Sequence, residues 1–320
     1  MPHILVAGRI HDSGVALIKA TPGFTYDLVD EVTAAAYTPF MVKADALLIR
    51  TQPLTAEVIA QAKHLKIVSR HGVGYDSVDV KALNERKIPL AIVGDVNSRS
   101  VAEHTLTLML STARRVVAYD TAARNGNWNL RNSFSAVELD GKLLVLLGFG
   151  RIGKVVAKLA QAFGMRVAAY DPFVNAAAMN ELSVEFLPDV RSGLAHADFL
   201  SVHVPATTGE ALIGATELAL MKPNAILINT ARGGLIDELA LDAALRKGTV
   251  AGAGLDVFVV EPPQPDHPLL SNLKCTISPH AAGLTQECAE RMGVMAAQNI
   301  FDYFNGALNS ALIVNAMECA

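Results

Sequence analysis

An arginine, a glutamate and a histidine each follow a short apolar run in the second half of this 320-residue chain. Arg232 sits in Asn229-Thr230-Ala231-Arg232-Gly233-Gly234, after the run 225–228. Glu261 sits in Val259-Val260-Glu261-Pro262-Pro263, after Gly254-Leu255-Asp256-Val257. His280 sits in Ser278-Pro279-His280-Ala281-Ala282-Gly283, after the run 275–277. These types suit reversible reduction of a carbonyl that stands beside a carboxylate. A guanidinium fork grips the carboxylate and polarises the neighbouring oxygen. An imidazolium delivers a proton to that oxygen and recovers it in the reverse direction. A glutamate beside the imidazole orients the ring and favours its charged form. Each residue alone is common in solvated loops. Their shared position at the ends of strands is what points to a site, because open α/β sheets bind ligands at the strand carboxyl ends.

A second signal precedes them. The apolar run 143–147 leads into Gly148-Phe149-Gly150-Arg151-Ile152-Gly153, then a helical pattern, then a run ending at Asp171. In this order Gly148 permits a tight turn, Gly150 lets backbone approach a pyrophosphate, and Gly153 allows close helix–strand packing. The helix start offers free N–H groups to the phosphates. Asp171 accepts hydrogen bonds from ribose hydroxyls and repels a 2′-phosphate, which favours NAD over NADP.

The elements that must position these residues alternate strand and helix almost throughout, which predicts parallel α/β architecture. Runs at 4–7, 24–28, 46–49, 66–69 and 90–93 form a first strand series, with helices at 56–63 and 80–86. The stretch 98–117 reads as one long amphipathic helix, from the 3- and 4-residue steps of Ala102, Leu106, Met109, Leu110, Ala113 and Val117. A polar, Asn-rich loop follows at 124–132, with Trp128 as its packing anchor. A second strand series runs 143–147, 167–170, 184–186, 199–202, 225–228, 250–253 and 275–277. A last helix over 285–305 puts Cys288, Met292, Met295, Ala296, Ile300 and Tyr303 on one face.

Composition narrows the function classes. Lys and Arg total 27 against 31 Asp and Glu, for a net charge of −4. That balance argues against a nucleic-acid or membrane-surface partner. Hydrophobic residues make up 51%, enough to rule out disorder as a whole-chain state. No uncharged apolar stretch is long enough for a membrane span, and the first residues lack a signal-peptide pattern. Three cysteines without CxxC spacing argue against a disulfide framework or a metal site, so a reduced, cytoplasmic protein is expected.

Together the motifs resemble the D-isomer-specific 2-hydroxyacid dehydrogenase family over nearly the whole chain. The matching pieces are Arg70-His71-Gly72-Val73-Gly74-Tyr75-Asp76, Val101-Ala102-Glu103-His104, the Gly148 to Gly153 motif, His203-Val204-Pro205, Asn229 to Gly234, Glu261-Pro262-Pro263 and Ser278-Pro279-His280. The resemblance implies two Rossmann/flavodoxin-like doubly wound parallel-sheet domains. Residues 98–291 would bind NAD, and 1–97 with 292–320 would form the substrate domain. It implies substrate binding by Arg232 and the Val73-Gly74 backbone, with Glu261 and His280 as the acid/base pair. It implies dinucleotide contacts at Gly148, Gly150, Arg151, Ile152, Gly153, Asp171, Val204, Pro205, Thr230, Ala231, Asp256, Ala282 and Gly283. It also implies a homodimer that takes a small 2-hydroxy or 2-oxo acid, with the helix near Ser98 crossing between domains.

Within the family, Leu48-Ile49-Arg50-Thr51-Gln52 resembles a substrate-domain loop of 3-phosphoglycerate dehydrogenases, which implies Arg50 near a phosphate. With only a short stretch after the last helix, the regulatory domain of the longer members is not expected. Hydroxypyruvate/glyoxylate reductases resemble the chain almost as well. A non-catalytic, dinucleotide-sensing corepressor is the reading from another class. His71 lies beside the supposed carboxylate site, and His104 is expected to make structural hydrogen bonds from its helix.

Overall fold

The structure, a computed structural model, describes residues 1–31, 33–206 and 209–319. The chain divides into two compact units, Met1–Asn97 with Leu284–Ala320, and Ser98–Gly283. Helices that bear on the site are labelled α1 (Asp12–Ala20), α2 (Ser98–Ala113), α3 (Val116–Arg124), α4 (Arg151–Ala162), α5 (Glu238–Lys247) and α6 (Gln286–Phe304).

The first unit holds β1 (His3–Ala7), β2 (Thr25–Val29), β3 (Ala46–Ile49), β4 (Ile67–Arg70) and β5 (Leu90–Ala91). They form one parallel sheet in the order β2-β1-β3-β4-β5. Every residue of β3 is buried, as a parallel strand covered on both faces requires. The apolar stripe of α6 packs with Ile4, Val6, Leu48 and Ile67 from its first turn, through Cys288 and Met292. This is why the unit boundary falls at Leu284 and not at the expected residue 292: a helix joins a core as one rigid element. Gly14 of α1 touches α6, where an added Cβ would lie 2.8 Å from the Gly293 carbonyl. The last residues return to the sheet, with Ile313 bridging Ala91 in antiparallel sense.

The second unit holds β6 (Leu143–Leu147), β7 (Arg166–Tyr170), β8 (Glu185–Phe186), β9 (Phe199–Val202), β10 (Ile226–Asn229), β11 (Gly252–Leu255) and β12 (Cys275–Ile277). Their order is β12-β11-β10-β9-β6-β7-β8, all parallel. From β6 the chain winds outward through β7 and β8. It then returns to the other side of β6 and winds through β9 to β12. The reversal leaves a crevice at the carboxyl ends of β6 and β9. Both units are therefore doubly wound parallel sheets.

Other sequence expectations change as well. The strand expected at 250–253 forms two residues later, at β11, because α2 crosses that strand closely. Added Cβ atoms at Gly252 and Gly254 would lie 2.7 Å from Thr112 and 2.9 Å from Leu108. The helix expected over 98–117 stops at Ala113. Arg115 takes a left-handed φ of 51°, which breaks the helical path before α3 begins. Trp128 does not anchor its segment, which forms a 3-10 helix, Trp128–Ser133, and the indole is 67% exposed. Among the described residues no helix is long and apolar enough to cross a membrane.

Candidate active site

The glycine motif lies at the β6/β9 crevice. Gly148 has φ +99°, and an added Cβ would sit 2.6 Å from the His203 carbonyl oxygen. Only glycine satisfies both the left-handed backbone and the close approach. A Cβ at Gly153 would overlap the Gly148 carbonyl oxygen. At Gly150, by contrast, an added Cβ meets nothing within 4 Å, and this residue caps α4 with no side-chain bond. The helix start is thus open where the others are crowded, and its first amides can receive an anion.

Asp171 follows β7. Its oxygens accept from Phe149 N at 2.8 Å and Phe173 N at 2.9 Å. A carboxylate has about four acceptor sites, so two remain for ribose hydroxyls. The cradle and the carboxylate fit a dinucleotide. Arg151 is exposed at the start of α4, whereas Ile152 packs against the core, so Ile152 can offer only its amide. Val204 packs on the core and Pro205 is exposed beside it. Burial pushes the His203 pKa down to about 4, so that ring is neutral near pH 7, bonded to Ser201 Oγ at 2.9 Å.

Arg232 leaves β10 on a stapled loop. Asn229 Oδ1 accepts from Ala231 N at 3.0 Å, and Asn229 Nδ2 donates to the Arg232 carbonyl at 2.8 Å. The Thr230 hydroxyl lies 2.8 Å from that of Thr105 on α2. Arg232 Nη1 donates to the Ala231 carbonyl at 2.6 Å. A Cβ at Gly233 would overlap the Phe258 carbonyl, so this loop packs backbone to backbone on the loop bearing Glu261.

Glu261 Oε1 accepts from Phe258 N at 3.0 Å, and Oε2 lies 2.6 Å from His280 Nδ1. A carboxylate only accepts, so Nδ1 carries the hydrogen and Nε2 is the nitrogen left for proton transfer. The His280 and Glu261 side chains are 52% and 37% exposed, open to a ligand yet in contact. Partial burial works against the Glu261 charge. The His280 bond and the Phe258 amide outweigh it and hold the carboxyl below its usual range. Glu261 therefore stays ionised through neutral pH, and its hold on His280 is lost only on acidification below the ordinary carboxylate value.

His280 has φ +51°, a conformation that costs a non-glycine residue about 1–3 kcal/mol. Asp256 holds it there. The Asp256 carbonyl accepts from His280 N at 2.8 Å. Its carboxylate accepts from Ser278 Oγ at 2.5 Å, Ala281 N at 2.8 Å and Ala282 N at 2.9 Å. His104 Nε2 reaches Ser278 Oγ at 2.7 Å, which ties the loop to α2. Burial penalises the Asp256 charge, but His104, Ser278 and the two amides keep its pKa below the usual range. Asp256 is 1% exposed with both oxygens engaged, so its visible work is to shape the loop from Ser278 to Gly283. Losing it strands two amides, at about 1–3 kcal/mol each.

The structure thus brings Arg232, Glu261 and His280 to the ends of three adjacent strands, and the glycine motif and Asp171 to the far side of the crevice. Sequence reasoning missed the staple Asn229 and the bracing by Ser278. Their only signal is a polar residue at a strand end, which many loops share.

The first unit carries its own cluster at the carboxyl ends of β3 and β4. Arg50 Nη1 donates to the Arg9 carbonyl at 3.1 Å, and burial lowers the Arg50 pKa. Arg70 Nη1 donates to the His71 carbonyl at 2.8 Å, beneath Gly72. His71 is buried, and burial followed by the charges of Arg50 and Arg70 pushes its pKa down to about 4. Val73 packs on the core, and Gly74 follows it in irregular, partly buried backbone.

Residues 106–282 match the D-isomer specific 2-hydroxyacid dehydrogenase, NAD binding domain. A D-3-phosphoglycerate dehydrogenase of Methanocaldococcus jannaschii is 37% identical over 310 residues, 96% of this chain and 58% of the relative. The chain thus spans a little over half the length of that relative. A glyoxylate reductase of Korarchaeum cryptofilum is 36% identical, covering 98% of this chain and 96% of the relative. The crystal structure of an NADPH-dependent glyoxylate/hydroxypyruvate reductase from Sinorhizobium meliloti superposes with TM-score 0.87 at 30% identity, covering 99% of this chain and 98% of that one. The chain belongs to the D-isomer specific 2-hydroxyacid dehydrogenase family and carries that family's NAD binding domain.

Proposed function

We propose that this chain is an NAD-dependent oxidoreductase that interconverts a D-2-hydroxy acid and its 2-oxo acid, with 3-phosphoglycerate and phosphohydroxypyruvate as the favoured pair. One observation carries the reading: Glu261 and His280 are bonded at 2.6 Å at the strand carboxyl ends, where Arg232 also lies. Gly148, Gly150, Gly153 and the first amides of α4 would hold the pyrophosphate, and Asp171 the ribose. When bound, the dinucleotide supplies or accepts the hydride. Arg232 grips the substrate carboxylate and polarises the carbonyl oxygen. His280 Nε2 gives that oxygen its proton in reduction and removes it in oxidation. Glu261 holds the Nδ1 hydrogen throughout and steadies the imidazolium. Thr230, Ala231, Val204, Pro205, Ala282 and Gly283 line the dinucleotide path in this reading, and Asp256 shapes it from beneath.

The phosphorylated pair is favoured by the charge of the first unit. Burial keeps His71 neutral, and the nearby charges of Arg50 and Arg70 push its pKa the same way, which marks an environment short of negative charge. With the Val73-Gly74 backbone at the substrate carboxylate, Arg50 can meet a phosphate. The second reading, a hydroxypyruvate/glyoxylate reductase, is favoured by the glyoxylate reductase relative, matched over almost its full length. Arg50→Ala separates them. In the first reading kcat/KM falls about 10- to 100-fold for phosphohydroxypyruvate, the value of a lost charge-assisted bond, and stays level for glyoxylate. Equal small effects on both favour the second.

Cofactor choice has its own test. Asp171→Asn is expected to lower the NADH over NADPH ratio of kcat/KM about tenfold, by weakening ribose acceptance and removing the charge that repels a 2′-phosphate. An unchanged ratio removes Asp171 from the reading.

The partner in this reading is a second copy of the chain. No residue of α3 is buried, and Val116, Val117, Trp128 and Phe134 are 50%, 58%, 67% and 89% exposed. Four large apolar side chains on one short stretch mark an interaction face. Light scattering is expected to report a dimer, and a monomer for Trp128→Glu with Phe134→Glu. A monomeric unmutated protein contradicts this.

A further inference from the structure

The loop that bears Glu261 has a second carboxylate anchor. Glu238 opens α5, but Asp237 caps that helix, accepting from Leu239 N and Ala240 N at 3.0 Å. This leaves Glu238 to reach outward. Its Oε1 accepts from Val259 N at 2.7 Å, and its Oε2 lies 3.0 Å from His267 Nε2. Because a carboxylate only accepts, His267 Nε2 carries the hydrogen. His267 Nδ1 is buried and makes no hydrogen bond among the described residues, so Glu238 is the polar tie that holds this ring. The ring also meets Phe258 edge to face, with centroids 5.4 Å apart and planes at 86°. The His267 and Glu238 side chains are mostly buried, at 17% and 13% exposure.

Two consecutive amides, Phe258 and Val259, are thus each held by a carboxylate, the first by Glu261 and the second by Glu238. Apolar burial anchors Phe258, which is 6% exposed, but it cannot fix the residues beyond, since Val259 and Val260 are both more than half exposed. We propose that Glu238, braced by His267, is a positioning residue that holds residues 258–261 in the register at which Glu261 meets His280. It touches no reacting atom and acts through Glu261. The inference rests on the acid/base reading of that pair.

The test is a double-mutant cycle on the purified protein, with Glu238→Ala, Glu238→Gln and Glu261→Gln. Glu238→Ala is expected to lower kcat by up to about 100-fold, as a small misplacement of a catalytic group does, with NADH affinity within about threefold. Glu238→Gln keeps an acceptor for Val259 N and stays within about threefold of the unmutated protein. In the Glu238→Ala, Glu261→Gln double mutant the loss equals that of Glu261→Gln alone, because both act through one contact. Additive losses, or an unchanged kcat in Glu238→Ala, overturn the inference.

A second readout needs no turnover. The downfield proton of His280 Nδ1, assigned by its loss in Glu261→Gln, persists in Glu238→Gln and disappears in Glu238→Ala. Its persistence in Glu238→Ala also overturns the inference. If it disappears while the unmutated protein reduces no 2-oxo acid, the positioning role stands and the dehydrogenase reading fails.

Discussion

His280→Ala is expected to lower kcat for 2-oxo acid reduction about 100- to 10,000-fold, the span that one placed general acid supplies. NADH binding should change little, since His280 holds Glu261 and not the glycine cradle. The backbone sets a second condition on the experiment. His280 has a left-handed φ that Asp256 enforces through the His280 amide, a bond that alanine retains. The loss is therefore chemical and leaves folding intact, and an unchanged melting temperature checks this. His280→Gln should fare no better, because an amide can donate to the substrate oxygen but cannot give up a proton. A variant that keeps more than about a tenth of the activity would remove His280 from the role of acid, given the magnitude above.

Arg232→Ala carries the second large effect. A guanidinium that meets a carboxylate with two parallel bonds contributes about 1.5–3 kcal/mol per bond, so kcat/KM should fall about 100- to 10,000-fold. Arg232→Lys should recover only part of the loss, because a lysine restores the charge without the planar fork. The loop itself should survive either change. Asn229 holds Ala231 N and the Arg232 carbonyl, and Gly233 keeps its packing on Phe258, all through backbone groups. Rates measured against 2-oxo acid concentration check this, and a fall in kcat/KM of less than tenfold contradicts the assigned role.

How much of this was legible in the sequence depends on which physical signal each part leaves. The strands β3, β6, β9 and β12 are read to the residue; β3 and β6 are buried, unbroken apolar runs, and β9 and β12 are short, mostly apolar runs between polar turns. The β11 boundary is misread because its glycines, which look like loop residues, answer to the close approach of α2. Likewise the helix break at Arg115 has no local signal, since arginine is a good helix former and the left-handed turn there is set by the chain path. Trp128 is misread for a related reason: an aromatic residue looks the same in sequence whether it packs inward or lies exposed.

The site divides in the same way. Arg232, Glu261 and His280 are legible because chemistry restricts their types and the sheet restricts their places. The groups that hold them in place are ordinary polar residues. Asp256 is legible only as a resemblance to dinucleotide contacts, whereas its geometry is that of a buried brace for the His280 loop. Glu238 and His267 leave no trace in sequence, because their partner is a backbone amide, which every residue has.

Whether the Glu261–His280 pair works on a 2-oxo acid is decided by the rate of NADH oxidation by the purified protein with phosphohydroxypyruvate, hydroxypyruvate and glyoxylate, beside an NADPH control. Protein-dependent turnover with NADH is expected, fastest for the phosphorylated acid and slower with NADPH. Tight NADH binding without turnover of any of the three acids would contradict it, and would leave a dinucleotide-binding protein whose Glu261–His280 pair serves no reaction.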